Sequence, residues 1–253
     1  VSMKVEYMNI LTIETPEILN LYKDNLFSTC GNNPPKAVLM LGNAPLILRD
    51  EMRKHWGDIP LIVCAESSYI GPDSTYMYNQ VVPQEDRIYL NKLRDEYNMT
   101  FLSARAFIPE SVQLMRRMIP EMKSLLLIGD QTDRDIDYDQ QLSELIKIEH
   151  PDLDYKFLSA GTWSPDQLLD TLRRVVPEET GILFASWFHK RMFAGNTLMM
   201  ANSYKVIANS TLPCPFFALS SSISSIEEDG TIIGGCVYDM NLYCCLLYTS
   251  DAA

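Results

Sequence analysis

Short, uninterrupted apolar runs alternate along this chain with amphipathic segments of helical period, and this alternation constrains the fold more than any other feature. A run that is apolar on both of its faces is typical of a strand in a parallel sheet that helices cover on both sides. The sequence therefore predicts an α/β fold. The predicted strands are residues 5–10, 37–41, 60–65, 101–107, 125–128, 155–158, 182–185 and 215–219.

Helix-start signals fill the segments between these runs. Thr15-Pro16-Glu17 offers an N-cap, a proline at the first helical position and an early acid, and Ser164-Pro165-Asp166 repeats the pattern. Helices are predicted from residue 15, over 44–55 and 85–97, from residue 108, over 139–149, from residue 164 and over 197–208. At least seven strands in two successive series favour two doubly wound lobes, residues 1–107 and 108–244.

Composition excludes several classes of function. The 253 residues are 47% hydrophobic, which is enough for a full core, and the net charge of -12 argues against a nucleic-acid-binding surface. No apolar run reaches the roughly 18–20 residues that span a bilayer. The six cysteines form no CxxC pair and the three histidines show no metal-ligand spacing, so neither a metal nor a cofactor is predicted.

One acidic stretch, DRDIDYDQQLSE at residues 133–144, has the acid spacing of an EF-hand calcium loop. Such a loop needs glycine at its sixth position, where Tyr138 stands, and it follows a helix, whereas a strand precedes this stretch. We therefore interpret it as a strand-to-helix loop with an acidic first helical turn, forming one wall of a hinge.

Candidate functional residues follow the predicted strands, because ligands of open parallel sheets bind at the carboxyl ends of the strands. Hydroxyl, amide and aromatic groups recur there, a mixture that suits a small polar ligand held by hydrogen bonds and stacking. Any one of these residues could instead lie in a solvated loop or cap a helix, without contacting a ligand. The candidates are Asn43, Glu66, Ser67, Asp130, Thr132, Trp163, Ser186, Trp187 and Ser220.

Two of these candidates have a specific alternative. Trp187 is the residue we expect to stack on a ligand, although a tryptophan directly after a buried strand is as often part of the core. Asp130 could act as the nucleophile of a hydrolase or phosphotransferase. The chain has no GxGxxG, GxxxxGK[ST] or GxSxG motif, so no catalytic residue is predicted.

The order of several short motifs resembles the type I periplasmic-binding-protein fold, in particular the ABC-transporter-substrate-binding-like sensor domains that precede bacterial hybrid histidine kinases. The resemblance spans residues 3 to about 243. The motifs that carry it are VEYMN at 5–9, KAVLMLGNA at 36–44, IPLIVC at 59–64, LLIGDQT at 126–132, TGILFASW at 180–187, CPFF at 214–217 and GTIIGG at 230–235.

This resemblance implies a non-enzymatic domain whose two lobes close around a small molecule outside the cytoplasm and signal to a downstream histidine kinase. It also implies a membrane-anchored parent protein and allows a homodimer. A free solute-binding protein of an ABC transporter is the alternative. Members of the family bind varied ligands, so the resemblance does not identify the ligand of this chain. The candidate cleft is poor in Lys and Arg, which argues against a strongly anionic ligand.

Both ends of the chain depart from the family pattern. The family's first strand and helix are missing at the N-terminus, and Asn9 stands where an aspartate is common. Residues 245–253 look like a sequencing adapter translated in frame, so we expect a metagenomic fragment and exclude this tail from the fold.

Overall fold

The computed structural model describes residues 3–8, 13, 15–30, 33–72, 82–103, 106–187, 207, 214–219 and 232–237. The chain divides into two compact units, Val1–Ala104 and Arg105–Ala253. No helix within the described ranges is both long and apolar enough to cross a membrane.

The first unit is built on a small parallel sheet whose strands lie in the order β1 (Val38–Leu41), β2 (Leu61–Ala65) and β5 (Met99–Ser103), and β3 (Tyr69–Ile70) and β4 (Ile88–Tyr89) form an antiparallel pair. The predicted N-cap is confirmed, since the Ile18 N–H donates to Thr15 Oγ1 at 3.4 Å. The elements are α1 (Pro16–Cys30), β1 (Val38–Leu41), a 3₁₀ helix (Ala44–Leu48), α2 (Arg49–Trp56), β2 (Leu61–Ala65), β3 (Tyr69–Ile70), a 3₁₀ turn (Gln84–Asp86), β4 (Ile88–Tyr89), α3 (Leu90–Glu96) and β5 (Met99–Ser103).

The core of the first unit lies on one face of its sheet. Met40, Val63 and Met99 point into an apolar cluster that also holds the buried side chains of α1, α2 and α3. On the opposite face of β1, Leu39 is 51% exposed and Leu41 is 70% exposed. Among the described residues, therefore, helices cover only one face of this sheet at β1.

The second unit contains a four-stranded parallel sheet whose strands lie in the order β7 (Asp154–Ser159), β6 (Ser124–Gly129), β8 (Thr180–Phe184) and β9 (Phe216–Ala218). Phe217 of β9 makes a further parallel bridge to Gly234. The elements are α4 (Ile108–Met118), β6 (Ser124–Gly129), α5 (Asp133–Glu149), β7 (Asp154–Ser159), α6 (Pro165–Leu172), β8 (Thr180–Phe184) and β9 (Phe216–Ala218).

Apolar clusters lie on both faces of this second sheet. Leu125 and Leu127 of β6 pack with residues of α4 and α5, whereas Leu126 and Ile128 pack with residues of α6. Successive side chains of a strand point to opposite faces, so this alternation is what a continuous apolar strand requires. The predicted α/β class, with parallel sheets flanked by helices, is confirmed.

Several predicted boundaries are wrong. Residues 5–8 form no strand, because no described strand lies beside them to take their hydrogen bonds, and Tyr7 is 86% exposed. The strand predicted over 101–107 is Met99–Ser103, since its register with β2 begins at Leu61. The predicted helix 44–55 starts as a 3₁₀ helix, and the helix predicted over 85–97 is shortened to Leu90–Glu96 because Ile88 pairs with β3.

The acidic stretch is helical rather than a loop. Helix α5 begins at Asp133, six residues before the predicted start, because Thr132 caps it by accepting the Asp135 N–H at 3.3 Å. A continuous helix over these residues is not the conformation of an EF-hand loop. The loop predicted over residues 133–138 is wrong, and a role of this segment as one wall of a hinge stays a prediction. The predicted helix 197–208 lies outside the described residues, apart from the helical Ile207.

Candidate functional site

The carboxyl ends of β1 and β2 meet at one edge of the first unit's sheet, and Asn43 organises the chain there. The turn out of β1 passes through Gly42, whose φ of 86° lies in the left-handed region that glycine adopts without strain. Asn43 follows it and is only 4% exposed. Its amide therefore has to find its hydrogen-bond partners within the protein.

Every polar atom of the Asn43 side chain is engaged by the loop that follows β2. The Nδ2 group donates to Ser67 Oγ at 2.8 Å, to Ser67 O at 3.1 Å and to Tyr69 O at 3.0 Å. The Oδ1 atom accepts the N–H of Glu66 at 2.8 Å and that of Ser67 at 3.5 Å. Asn43 thus shapes this loop and has no spare group for a ligand.

Glu66 is the candidate of the first unit that solvent reaches. Its carboxylate lies beside the Gly42 turn, 3.5 Å from the position that a Cβ would take there, and the residue is exposed. Ser67, by contrast, is 7% exposed, and its hydroxyl donates to Tyr69 O at 2.8 Å. The loop therefore presents a carboxylate on a framework that Asn43 and Ser67 hold in place.

In the second unit, a buried carboxylate joins the ends of two strands. Asp135, in the first turn of α5, is 0% exposed. Its Oδ2 accepts the Asp130 N–H at 2.8 Å and a short hydrogen bond from Ser186 Oγ, and its Oδ1 lies 3.0 Å from Arg134 Nε. Because Asp130 follows β6 and Ser186 follows β8, one side chain fixes both strand ends to the helix N-terminus.

The two polar candidates bound to Asp135 are themselves buried. Asp130 is 1% exposed, and its Oδ1 accepts the Gln131 N–H at 2.7 Å, while Ser186 is 4% exposed. A nucleophile needs an oxygen that its substrate can approach. In this conformation Asp130 is placed to orient its neighbours, and the geometry gives no support to the hydrolase or phosphotransferase alternative.

The two candidate tryptophans occupy different environments. Trp187 is 5% exposed and belongs to the apolar cluster that packs on α6. Trp163 is half-buried in the loop after β7, with Lys156 Nζ 4.4 Å from its ring centroid. Trp163 is therefore the indole that solvent reaches, and its position suits stacking better than that of Trp187.

Within each unit the structure brings several predicted candidates together. The loop of the first unit unites Asn43, Glu66 and Ser67, and Asp135 links Asp130 to Ser186 beside the cap residue Thr132. Ser220 lies outside the described residues. Among the residues that the structure describes, no three His, Cys, Asp or Glu side chains are grouped so as to hold a metal ion.

Asp135 was missed because an acid in a first helical turn usually faces solvent. The one sequence signal is the spacing of Thr132 and Asp135, because in a capping box the third helical residue reaches back to the backbone N–H of the cap residue. Asp135 instead accepts the Asp130 N–H, two residues before the cap. It lies close to Gly129, where a Cβ would be 3.2 Å from Asp135 Oδ2.

No protein-family model matches this chain, and no curated protein matches it. Among solved structures, an extracellular ligand-binding receptor from Verminephrobacter eiseniae is similar over 82% of this chain, with a TM-score of 0.44 and 12% sequence identity. The match covers 50% of that receptor chain, so this chain spans about half of its length. The strand order and register of the two parallel sheets show the α/β class.

Proposed function

We propose that this chain is a non-enzymatic domain that binds a small polar molecule at the carboxyl ends of its parallel strands. The observation that carries the proposal is that buried side chains hold the loops at these strand ends in place. In each unit a fully hydrogen-bonded, buried side chain holds the strand-end loop, Asn43 in the first and Asp135 in the second. Such support is what orients the groups that contact a ligand.

The exposed groups on this framework indicate the ligand class. Glu66 supplies a carboxylate, Thr132 is half-buried at an N-cap, and Trp163 supplies a partly exposed ring. The carboxylate of the first unit suits a neutral or cationic molecule with hydroxyl or amino groups, and the hydroxyl and ring of the second unit suit a molecule with a polar group and an apolar face that can stack. An anionic ligand would meet the negative charge of Glu66.

The biological setting is a further part of the proposal. The motif order favours the extracytoplasmic sensor domain of a membrane-anchored hybrid histidine kinase over a free solute-binding protein of an ABC transporter. The full-length gene distinguishes the two. A membrane-spanning segment and a kinase domain after this domain support the sensor, whereas a stop codon followed by a permease gene supports the transporter protein.

Thermal unfolding with a panel of sugars, amino acids, nucleosides and short peptides tests the binding function. A ligand that binds only the folded state stabilises it by about 2.7 kcal/mol at a hundred times its Kd, which raises the melting temperature. We expect at least one neutral or cationic compound to do so. A panel without any such compound would contradict the proposal.

Three variants then locate the site. Glu66→Gln removes the carboxylate of the first unit, and Thr132→Asn changes the second unit while keeping a good N-cap residue. Each should keep the melting temperature of the free protein, and the variant in the unit that contacts the ligand should reduce the ligand-induced increase. Glu96→Gln is the matched control, since Glu96 is an exposed acid that precedes β5 at the opposite edge of the sheet. Equal responses from all three would refute the site.

A further inference from the structure

Gln131 and Gly161 meet where β6 and β7 end, at the carboxyl edge of the second sheet. A Cβ on Gly161 would lie 1.7 Å from Gln131 Nε2, 1.8 Å from its Cδ and 2.3 Å from its Cγ. The Gln131 side chain therefore lies flat against the backbone of Gly161, in space that any other residue type would fill with its Cβ. Gly161 is exposed and Gln131 is half-buried, so the carboxamide is held at the surface of this edge.

The backbone on both sides of this contact is held by hydrogen bonds. The Gln131 N–H donates to Asp130 Oδ1 at 2.7 Å. The turn that carries Gly161 is tied to the end of β6, because the Ala160 N–H donates to Gly129 O at 2.9 Å. The position of the carboxamide is therefore set by the ends of two neighbouring strands.

The carboxamide of Gln131 is unlike that of Asn43, whose polar atoms are all engaged by the protein. Within the described ranges of the chain, no hydrogen bond engages Oε1 or Nε2 of Gln131. The neighbouring Thr132 Oγ1 accepts the Asp135 N–H, and its hydroxyl can still donate. This edge therefore presents an amide donor, an amide acceptor and a hydroxyl donor, and none of the three groups is charged.

We propose that Gln131 contacts the ligand and that the second unit binds a neutral polyhydroxylated molecule, a saccharide or a polyol. This inference rests on the proposed binding function and names the ligand class at that site. A carboxamide donates through Nε2 and accepts through Oε1, which matches two neighbouring hydroxyl groups of one molecule. A charged ligand would need a countercharge, but Asp130 is buried and Arg134 already faces Asp135 at 3.0 Å.

Two variants alter the carboxamide in different ways. Gln131→Met removes both hydrogen-bonding groups at nearly constant length, whereas Gly161→Ala keeps them and displaces them with its Cβ. The φ of Gly161 is not positive, so alanine adds no backbone strain there. Both variants should keep the melting temperature of the free protein, because the group that changes or moves is the end of a partly exposed side chain. Gln141→Met, at an exposed position of α5, is the matched control.

Thermal unfolding identifies the ligand class, and calorimetric titration then tests the contact. Glucose, galactose, arabinose, ribose and inositol are compared with glycine, lysine, glutamate and dialanine at about 10 mM, a hundred times a Kd of ~0.1 mM. We expect at least one of the five polyhydroxylated compounds to raise the melting temperature, and none of the other four. The Kd of that compound should increase about 10-fold in Gln131→Met and in Gly161→Ala, and should be unchanged in Gln141→Met.

The double variant tests whether Gly161 acts through Gln131. Its Kd should be no higher than that of Gln131→Met alone, because the displaced amide is already absent. A panel in which no compound raises the melting temperature would contradict the binding function and this inference together. Stabilisation by the amino acids or the dipeptide alone would leave the binding function standing and overturn the ligand class. An unchanged Kd in Gln131→Met, or additive losses in the double variant, would overturn the role of the Gln131 carboxamide.

Discussion

Asp135 and Ser186 lie 51 positions apart in the chain, and a buried hydrogen bond joins the hydroxyl of Ser186 to the carboxylate of Asp135. The same carboxylate oxygen accepts the Asp130 N–H. Two strands of the second sheet are therefore tied to the first turn of α5 through one side chain. The ends of these strands are where the proposed ligand contacts lie, so the integrity of this junction bears on both stability and binding.

Asp135→Ala should be strongly destabilising. It leaves the Asp130 N–H and the Ser186 hydroxyl without their acceptor in a buried site and removes the charge that faces Arg134. Breaking a buried, hydrogen-bonded charge pair typically costs about 3–5 kcal/mol of the free energy of unfolding. Urea denaturation followed by circular dichroism measures the loss.

The control for this variant is Glu144→Ala, on the exposed side of the same helix. It should change the free energy of unfolding by less than about 0.5 kcal/mol. Ser186→Ala should fall between the two, at about 1 kcal/mol, because it removes a single donor and leaves the other partners of Asp135 in place. A loss for Asp135→Ala no larger than that for Glu144→Ala would mean that the junction contributes nothing to stability.

Asn43→Ala should destabilise the first unit by about 1–3 kcal/mol, the usual cost of leaving buried polar groups without partners. The groups affected are the N–H of Glu66 and the carbonyl oxygens of Ser67 and Tyr69. Glu66→Ala, which alters an exposed side chain of the same loop, should leave the melting temperature within about 1 °C. Equal melting temperatures for Asn43→Ala and the unsubstituted protein would show that the loop holds without this amide.

The sequence predicted the elements whose signals are local. Thr15 and Ser164 cap α1 and α6 as expected, and Ser164 forms a complete capping box with Gln167. The apolar runs also correspond to β1, β2, β6, β7, β8 and β9. Local signals suffice here because a cap or a buried strand depends mainly on its own residues.

Features that depend on contacts between residues far apart in the sequence could not be predicted from local signals. An apolar run does not say which neighbour covers it, so the exposed face of β1 at Leu39 and Leu41 could not be foreseen. The absence of a strand at residues 5–8 has the same origin, because pairing is a property of two segments. Asp135 is also a long-range feature, as its partner Ser186 lies on another strand.

Gly235→Ala should be destabilising, whereas the adjacent Gly234→Ala should be nearly neutral. A Cβ on Gly235 would lie 2.2 Å from the backbone oxygen of Ala218, which cannot move without disturbing β9. A Cβ on Gly234 would meet nothing closer than Leu114 Cδ2 at 4.0 Å. Overpacking of this kind typically costs about 1–3 kcal/mol, which urea denaturation of the two variants measures. Similar stabilities for both variants would contradict the close approach at Gly235.

Cys214 should be protected from alkylation in the folded protein. Burial, followed by the charge of Glu178, raises the pKa of the Cys214 thiol to about 11, and the residue is 5% exposed. The reactive thiolate is therefore scarce at neutral pH. Site-resolved mass spectrometry after brief iodoacetamide treatment should show labelling of Cys214 slower than that of the half-buried Cys30 by more than about 100-fold. In denaturant the two rates should converge, and comparable rates in the folded protein would rule out this burial.

Asp139→Asn should stabilise the second unit at neutral pH and lose this advantage in acid. Burial is the main cause that raises the pKa of Asp139, and it outweighs the hydrogen bond that the Tyr155 hydroxyl donates to the carboxylate at 2.7 Å. A raised pKa in the folded state means that ionised Asp139 carries a penalty, which develops as the pH rises through that pKa. Below the unfolded value of 3.8 the penalty is absent.

An asparagine carries no charge at any pH, and its Oδ1 can still accept from the Tyr155 hydroxyl. The variant should therefore melt above the unsubstituted protein near pH 7, and this difference in melting temperature should shrink towards zero in acid. Asp154→Asn, at an exposed position of β7, serves as the control and should show a small difference that does not change with pH in this way. A variant Asp139→Asn that melts below the unsubstituted protein at pH 7 would show that the Tyr155 bond outweighs the cost of burial.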